Sequence, residues 1–195
     1  MNLVGNSCIA SFITKNDLKE EFTNPFVWCL IDFNSMYYLI KNWDKINFLN
    51  YEIKLTDNYI TIIIDKNVIV KYVHYKLSND ETPIIKDVDV YCKNILKYAE
   101  EKYLSRIKRM LEKNEKPTFI LANGFNHNLN SVGYYTLAEC KAIQDLKSNF
   151  MIYMCYDYLK DNILNNGKLK LIQNKIKMNC SGANYNLAKF IYSKF

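Results

Sequence analysis

Leu3-Val4-Gly5-Asn6-Ser7-Cys8-Ile9-Ala10-Ser11-Phe12 is the stretch from which the rest of the chain can be read outward. A short apolar run enters a Gly-Asn-Ser turn, and a segment with Ile9, Phe12 and Ile13 at helical spacing leaves it. The pattern predicts strand, tight turn, then helix, with Cys8 at or just inside the helix N-terminus. A thiol there sits at the positive end of the helix dipole, which lowers its pKa and favours the thiolate. Thiol chemistry then needs a base, and the chain holds two histidines, His74 and His127.

Beyond that first unit the periodicities alternate. Asn16-Asp17 and Asn24-Pro25 punctuate a loop, and Pro25 to Ile31 is an apolar run that reads as buried. Asp32 or Asn34 is placed to cap a helix carrying Met36, Tyr37, Leu39, Ile40 and Trp43 on one side. Tyr51 to Leu55, Tyr59 to Ile64 and Val68 to Tyr75 are rich in β-branched and aromatic residues, with Asp65-Lys66-Asn67 as a hairpin turn between the last two. In the last of these Val68, Val70, Tyr72 and His74 alternate onto one face. After Pro83, Asp87 or Asp89 opens a long helix through Leu111. Its expected apolar stripe is Val90, Ile95, Leu96, Ala99, Tyr103, Leu104, Ile107 and Leu111. Arg106 and Arg109, three apart, lie close to one face of it.

Thr118 to Ala122 reads as a buried strand that ends in the polar loop Asn123-Gly124-Phe125-Asn126-His127-Asn128. Thr136 and Glu139 form a capping box for a helix over Leu137 to Leu146, and Phe150 to Tyr156 reads as another buried strand. The remainder predicts a short helix, a turn at Gly167, a strand over Leu169 to Ile176 and a last helix over Tyr185 to Tyr192. No repeat, linker or low-complexity segment interrupts this order. The expectation is one mixed α/β (α+β) domain over residues 1–195, a central, mainly β sheet flanked by helices.

A chain of 195 residues buries a sizeable core without staples. The net charge of +6 is spread along it with no block of like charges, which reads as a solvated surface and not as a nucleic-acid interface. The six cysteines, at 8, 29, 92, 140, 155 and 180, form no C-x-x-C pair, so zinc sites of the finger or ribbon kind are disfavoured. No basic n-region precedes the first apolar segment, and no apolar run approaches the ~20 residues of a membrane helix. Reduced thiols in a cytoplasmic protein are the expectation.

A Cys–His pair works because an imidazole within hydrogen-bond reach takes the thiol proton and later protonates the leaving group. A third residue, Asp or Asn, fixes the ring tautomer. Cys8, His74 and Asn123 stand in an order that would put a nucleophile at a helix start, a base on a strand and an orienter at a strand end. The backbone N–H of Cys8, with Asn6 or Ser7, would form an oxyanion hole. Each residue also has a structural reading. A lone cysteine among apolar neighbours is usually a small core residue, a histidine on a Val/Tyr strand is often a hydrogen-bonded half-core residue, and His127 sits in an Asn-rich loop. Asn123 can simply terminate a strand, and the two arginines can be surface charge.

Gly5-Asn6-Ser7 after a strand also resembles the first block of the SGNH (GDSL-like) hydrolases, with Ser7 as nucleophile. That family needs a histidine near the C-terminus, usually with an aspartate three residues before it. Here no histidine follows His127, and no aspartate stands three before either histidine. Ser7 is left without its base.

Four pieces carry a different resemblance. They are Gly5-Asn6-Ser7-Cys8, Asn24-Pro25-Phe26-Val27-Trp28, the strand ending Val73-His74-Tyr75, and Lys102-Tyr103-Leu104-Ser105-Arg106-Ile107-Lys108-Arg109 ahead of Phe119-Ile120-Leu121. Over roughly residues 3–125 the layout resembles bacterial proteins of polysaccharide gene clusters, described as papain-like cysteine peptidases or exopolysaccharide-biosynthesis proteins. A capsule acetyltransferase with a papain-like fold and a coenzyme A site has a similar Gly-Asn-Cys start. The resemblance implies a papain-like arrangement with Cys8 as nucleophile and His74 as base. The chain departs from the pattern at Val27, where many relatives are acidic, at Ile9, where an aromatic residue or Gln often follows the Cys, and at Tyr75, which matches one branch only.

The implied activity is acyl transfer in capsule or exopolysaccharide assembly. The acyl donor would be a thioester such as acetyl-coenzyme A, and the acceptor a saccharide. Trp28, Arg106 and Arg109 are the candidates for binding substrate or co-substrate, although no glycine-rich phosphate loop accompanies them. With water as acceptor the same machinery is a hydrolase. The alternatives are a papain-like peptidase, which would want an extended cleft, and a non-catalytic scaffold in which Cys8 is buried.

Overall fold

The computed structural model describes residues 2–5, 24–27, 29–56, 59–72, 88–122, 137–146, 150–156 and 169–173. Two kinds of hydrophobic pattern build two kinds of sheet. Strands β1 (Asn2–Gly5), β6 (Pro117–Ala122), β7 (Met151–Tyr156) and β8 (Leu169–Gln173) form a four-stranded sheet in the order β1-β6-β7-β8, every neighbouring pair parallel. Near-continuous apolar runs suit it, because a parallel sheet is covered on both faces. Leu3 and Ile120 are buried on one face, and Val4, Phe119 and Leu121 on the other.

The second sheet is antiparallel, in the order β2-β5-β4-β3, and is made of β2 (Cys29–Ile31), β3 (Tyr51–Thr56), β4 (Tyr59–Ile64) and β5 (Val68–Tyr72). It lies in sequence entirely between β1 and β6, so the crossover joining these parallel neighbours carries a whole sheet and a long helix. The single central sheet expected from sequence is therefore two sheets. Strand periodicity locates strands, but the choice of partner is made by long-range packing.

The β4–β5 hairpin forms where expected, over Asp65-Lys66-Asn67, with Asp65 and Lys66 both left-handed at φ 49° and 62°. Two positive-φ residues in succession match the right-handed twist of the flanking strands. The Asn67 N–H donates to the Ile64 carbonyl at 3.1 Å, and the Asp65 N–H donates to the Asn50 carbonyl at 2.7 Å. These bonds hold the turn where side-chain sterics disfavour it.

Helix α1 (Phe33–Asn42) is capped by Asp32, whose carboxylate accepts the Ser35 N–H at 2.7 Å. Asp32, rather than Asn34, is the cap. Met36, Leu39, Ile40 and Trp43 are buried from this segment, and Tyr37 is half-buried. The Pro25-Phe26-Val27 part of the apolar run preceding it is a buried turn and not strand.

Helix α2 (Val88–Lys113) ends on Asn114, a left-handed residue at φ 46° whose N–H donates to the Leu111 carbonyl. Its buried stripe is Ile95, Ala99, Tyr103, Arg106, Ile107 and Met110. Val90, Leu104 and Leu111, expected on that stripe, are exposed. They sit roughly 100° or more away from its centre at 3.6 residues per turn. A third helix, α3 (Leu137–Gln144), stands between β6 and β7.

One core serves both sheets. Val4, Phe119, Leu121 and Ile152 of the parallel sheet join Ile31, Ile60, Ile62 and Val70 of the antiparallel sheet in a single buried cluster. Trp43 lies at the seam, its ring 5.8 Å from Phe119 and 5.1 Å from Phe48. α2 is tied down through Tyr103, whose hydroxyl donates to the Phe48 carbonyl at 2.8 Å and whose ring meets Tyr51 at 4.9 Å.

Candidate functional site

Three strands end within three residues, in sequence, of the residues singled out above. β1 ends at Gly5, three residues before Cys8, and β5 ends at Tyr72, two before His74. β6 ends at Ala122, next to Asn123. Because β1 and β6 are parallel with Gly5 opposite Ile120, the chain leaves both at the same end of the sheet.

A short buried segment links β1 to β5. Asn24, only 4 % exposed, donates through Nδ2 to the Asn2 Oδ1 at 2.7 Å and to the Leu3 carbonyl at 2.6 Å. Its Oδ1 accepts the Phe26 N–H at 2.8 Å. The Tyr72 hydroxyl donates to the carbonyl of Pro25. One side chain thus anchors the loop to β1, and the next residue's carbonyl anchors it to β5. Buried amides of this kind are retained only when both ends of the group are satisfied, and Asn24 meets that condition.

The two arginines separate. Arg109 is exposed, and its Nε donates to the Ser105 carbonyl one turn back at 3.2 Å. Arg106 is 6 % exposed, and its Nη1 is buried with no hydrogen-bond partner. Three residues of spacing put them on neighbouring lines of the helix, but the edge of the packed face falls between those lines.

Cys8, His74 and Asn123, the proposed oxyanion supports Asn6 and Ser7, and the binding candidate Trp28 lie outside the described residues, as does His127. Of the remaining cysteines, Cys29 is buried on β2, as a core reading anticipates, Cys92 is half-buried on α2, and neither is in a disulfide. Among the described residues no group of three or more His, Cys, Asp or Glu is arranged to hold a metal ion. Among them, too, no helix is long and apolar enough to cross a membrane. Reading Asn24-Pro25 as loop punctuation misses the part Asn24 plays in joining β1 to the loop. Its one sequence signal is a polar residue directly ahead of an apolar run.

No protein-family model, curated protein or solved structure matches the chain. The chemistry available is set by what the strand ends carry. A parallel sheet that releases successive loops at one end is a common platform for reactive residues, since rigid strands fix where each loop begins.

Proposed function

We propose that this chain is a thiol-dependent acyl-transfer enzyme of capsule or exopolysaccharide assembly, with a papain-like arrangement of its residues and a cytoplasmic site of action. Cys8 is the nucleophile, His74 the base and Asn123 the residue that orients the imidazole. The Cys8 thiolate attacks the carbonyl of an acyl thioester such as acetyl-coenzyme A. The resulting oxyanion is held by the Cys8 N–H with Asn6 or Ser7, and it collapses to an acyl-cysteine as the donor's thiolate leaves and takes the imidazolium proton. A saccharide hydroxyl or amine, deprotonated by His74, then attacks the acyl-cysteine and releases the Cys8 thiolate. Trp28 is the candidate for contact with the acceptor.

The observation that supports this reading is the buried Asn24–Pro25 bridge. It ties Asn2 and Leu3 of β1, six and five residues before Cys8, to Tyr72 of β5, two residues before His74. Two histidines and one N-terminal thiol leave few other pairings.

The test is the rate of Cys8 alkylation by iodoacetamide against pH, read by peptide mass spectrometry in the wild type and in His74→Ala. An ordinary thiol reacts with a midpoint near pH 8.5. A thiol paired with imidazole reacts fast at pH 6, and loses that advantage, by roughly 10-fold or more, when His74 is removed. Slow labelling at pH 6 in both proteins would overturn the enzyme and leave a binding protein of the same fold.

A further inference from the structure

β3 lies at the edge of the antiparallel sheet. It pairs with β4 on one side, and among the described residues no strand pairs with it on the other. At six residues it is the longest of the described edge strands, against four in β1, three in β2 and five in β8. The register fixes which of its backbone groups face outward. The Asp65 N–H donates to the Asn50 carbonyl at 2.7 Å, and these two residues continue the pairing in which Tyr51 stands opposite Ile64. Hydrogen-bonded and non-hydrogen-bonded pairs alternate along an antiparallel ladder. Glu52, Lys54 and Thr56 therefore direct their N–H and C=O groups at β4, and those of Tyr51, Ile53 and Leu55 are directed away from it.

Proteins commonly protect such an edge with charge, which repels a second copy when the charges are of one sign. Here Glu52 and Lys54 are of opposite sign and stand one residue on either side of Ile53. Turning a second β3 antiparallel about Ile53 puts each Glu52 directly opposite the partner's Lys54. Both side chains are exposed and pair with each other along the strand at 3.6 Å, so the turn gives each a second opposite charge and closes a ring of alternating charges. The apolar positions match as well. Ile53 meets the partner's Ile53, and Leu55, 46 % exposed, meets the partner's Tyr51, a side chain whose hydroxyl donates to Glu100 Oε1 at 2.9 Å. The same two-fold makes each of these a hydrogen-bonded pair, so the outward N–H and C=O groups of all three residues find partners. Any extended chain would satisfy that backbone. The reversal of charge about a central isoleucine is matched by a second copy of this one.

We infer that β3 is a self-complementary edge through which two copies of the chain pair, antiparallel about a two-fold axis at Ile53, joining two four-stranded sheets into one continuous sheet. The pairing is independent of Cys8 chemistry.

Sedimentation velocity over a concentration series tests it, in the wild type, Glu52→Lys, Lys54→Glu and the double exchange of both. The two positions are exposed, so every variant is expected to keep the wild-type fold, checked by far-ultraviolet circular dichroism. The wild type sediments as a monomer–dimer equilibrium. Each single reversal sets like charges opposite each other at both pairs and raises the dimer's Kd roughly 10-fold or more. The double exchange restores opposite charges and, with them, the wild-type Kd. An equimolar mixture of the two single variants forms a heterodimer, because each Lys pair then faces a Glu pair. A wild type that is monomeric across the whole series would overturn the inference. So would a dimer that the single reversals leave intact, or a double exchange that stays dissociated.

Discussion

Single polar side chains decide how the loop near β1 is held, and Asn24 is the clearest of them. Its amide makes three hydrogen bonds with a turn and a strand that are otherwise apolar. Truncation to alanine leaves the Phe26 N–H, the Asn2 Oδ1 and the Leu3 carbonyl without this partner. Unsatisfied buried groups cost about 1–3 kcal/mol each, partly recovered when water enters or the loop shifts. Asn24→Ala is therefore expected to lose roughly 2–3 kcal/mol of unfolding free energy, read as a lower urea midpoint with an unchanged m-value. If the loop also positions the thiol, labelling of Cys8 at pH 6 slows in the fraction that remains folded. Unchanged labelling in a destabilised protein would confine Asn24 to a structural role. Little of this is visible in the order of residues, where Asn24-Pro25 reads as turn punctuation and the one signal is a polar residue directly ahead of an apolar run.

At the scale of elements, two phenols attach α2 to the antiparallel sheet and the loop before it: Tyr51 of β3, whose hydroxyl donates to Glu100 Oε1 at 2.9 Å, and the buried Tyr103. Tyr103 donates to the Phe48 carbonyl and stacks edge-on to Tyr51, and burial, reinforced by the neighbouring Tyr51, raises its pKa well above the ordinary tyrosine value. In the unfolded chain the same phenol ionises near pH 10. Folding therefore holds a proton that the unfolded state gives up, so the contribution is full below pH 10 and declines as pH rises beyond it. Tyr103→Phe is expected to lose about 1–2 kcal/mol at pH 7, where the Phe48 carbonyl is left unpaired. Above pH 10 the wild type falls more steeply, by up to about 1.4 kcal/mol per pH unit, and the gap between the two proteins narrows. Parallel urea midpoints from pH 7 to 11 would refute that linkage. Elements such as α1, α2, the β4–β5 hairpin and β6 to β8 were legible because each repeats a local pattern or carries a turn or cap signal. The buried face of α2 was not, because a helical stripe read from apolar residues alone passes over Arg106 and admits Leu104 and Leu111.

The whole molecule is organised by a core that neither sheet owns. Its strands could be found one by one from sequence, but their division into a parallel and an antiparallel sheet depends on contacts between residues far apart, such as Trp43 with Phe119. The candidate site shares that difficulty: residue types nominate Cys8 and His74, and what links the strands that precede them in sequence is a long-range bridge, from Asn2 and Leu3 of β1 through Asn24 and Pro25 to Tyr72 of β5. Such a shared core makes the sheets cooperative. Phe119 lies on β6, with Trp43 on one side at 5.8 Å and Phe150 on another at 5.9 Å, so it joins the seam to the parallel sheet. Replacing it with alanine removes a fully buried ring and leaves a cavity, a change that costs about 3–5 kcal/mol. If the two sheets were separately stable, the loss would appear only in the amides of β1, β6 and β7. With one core, native-state hydrogen exchange of Phe119→Ala is expected to show protection falling by a similar amount in β4 and β5, which do not touch β6 by backbone pairing. Protection retained in β4 and β5 would mean that the antiparallel sheet folds as its own unit, and that the loop after β5 is held independently of the loop after β1.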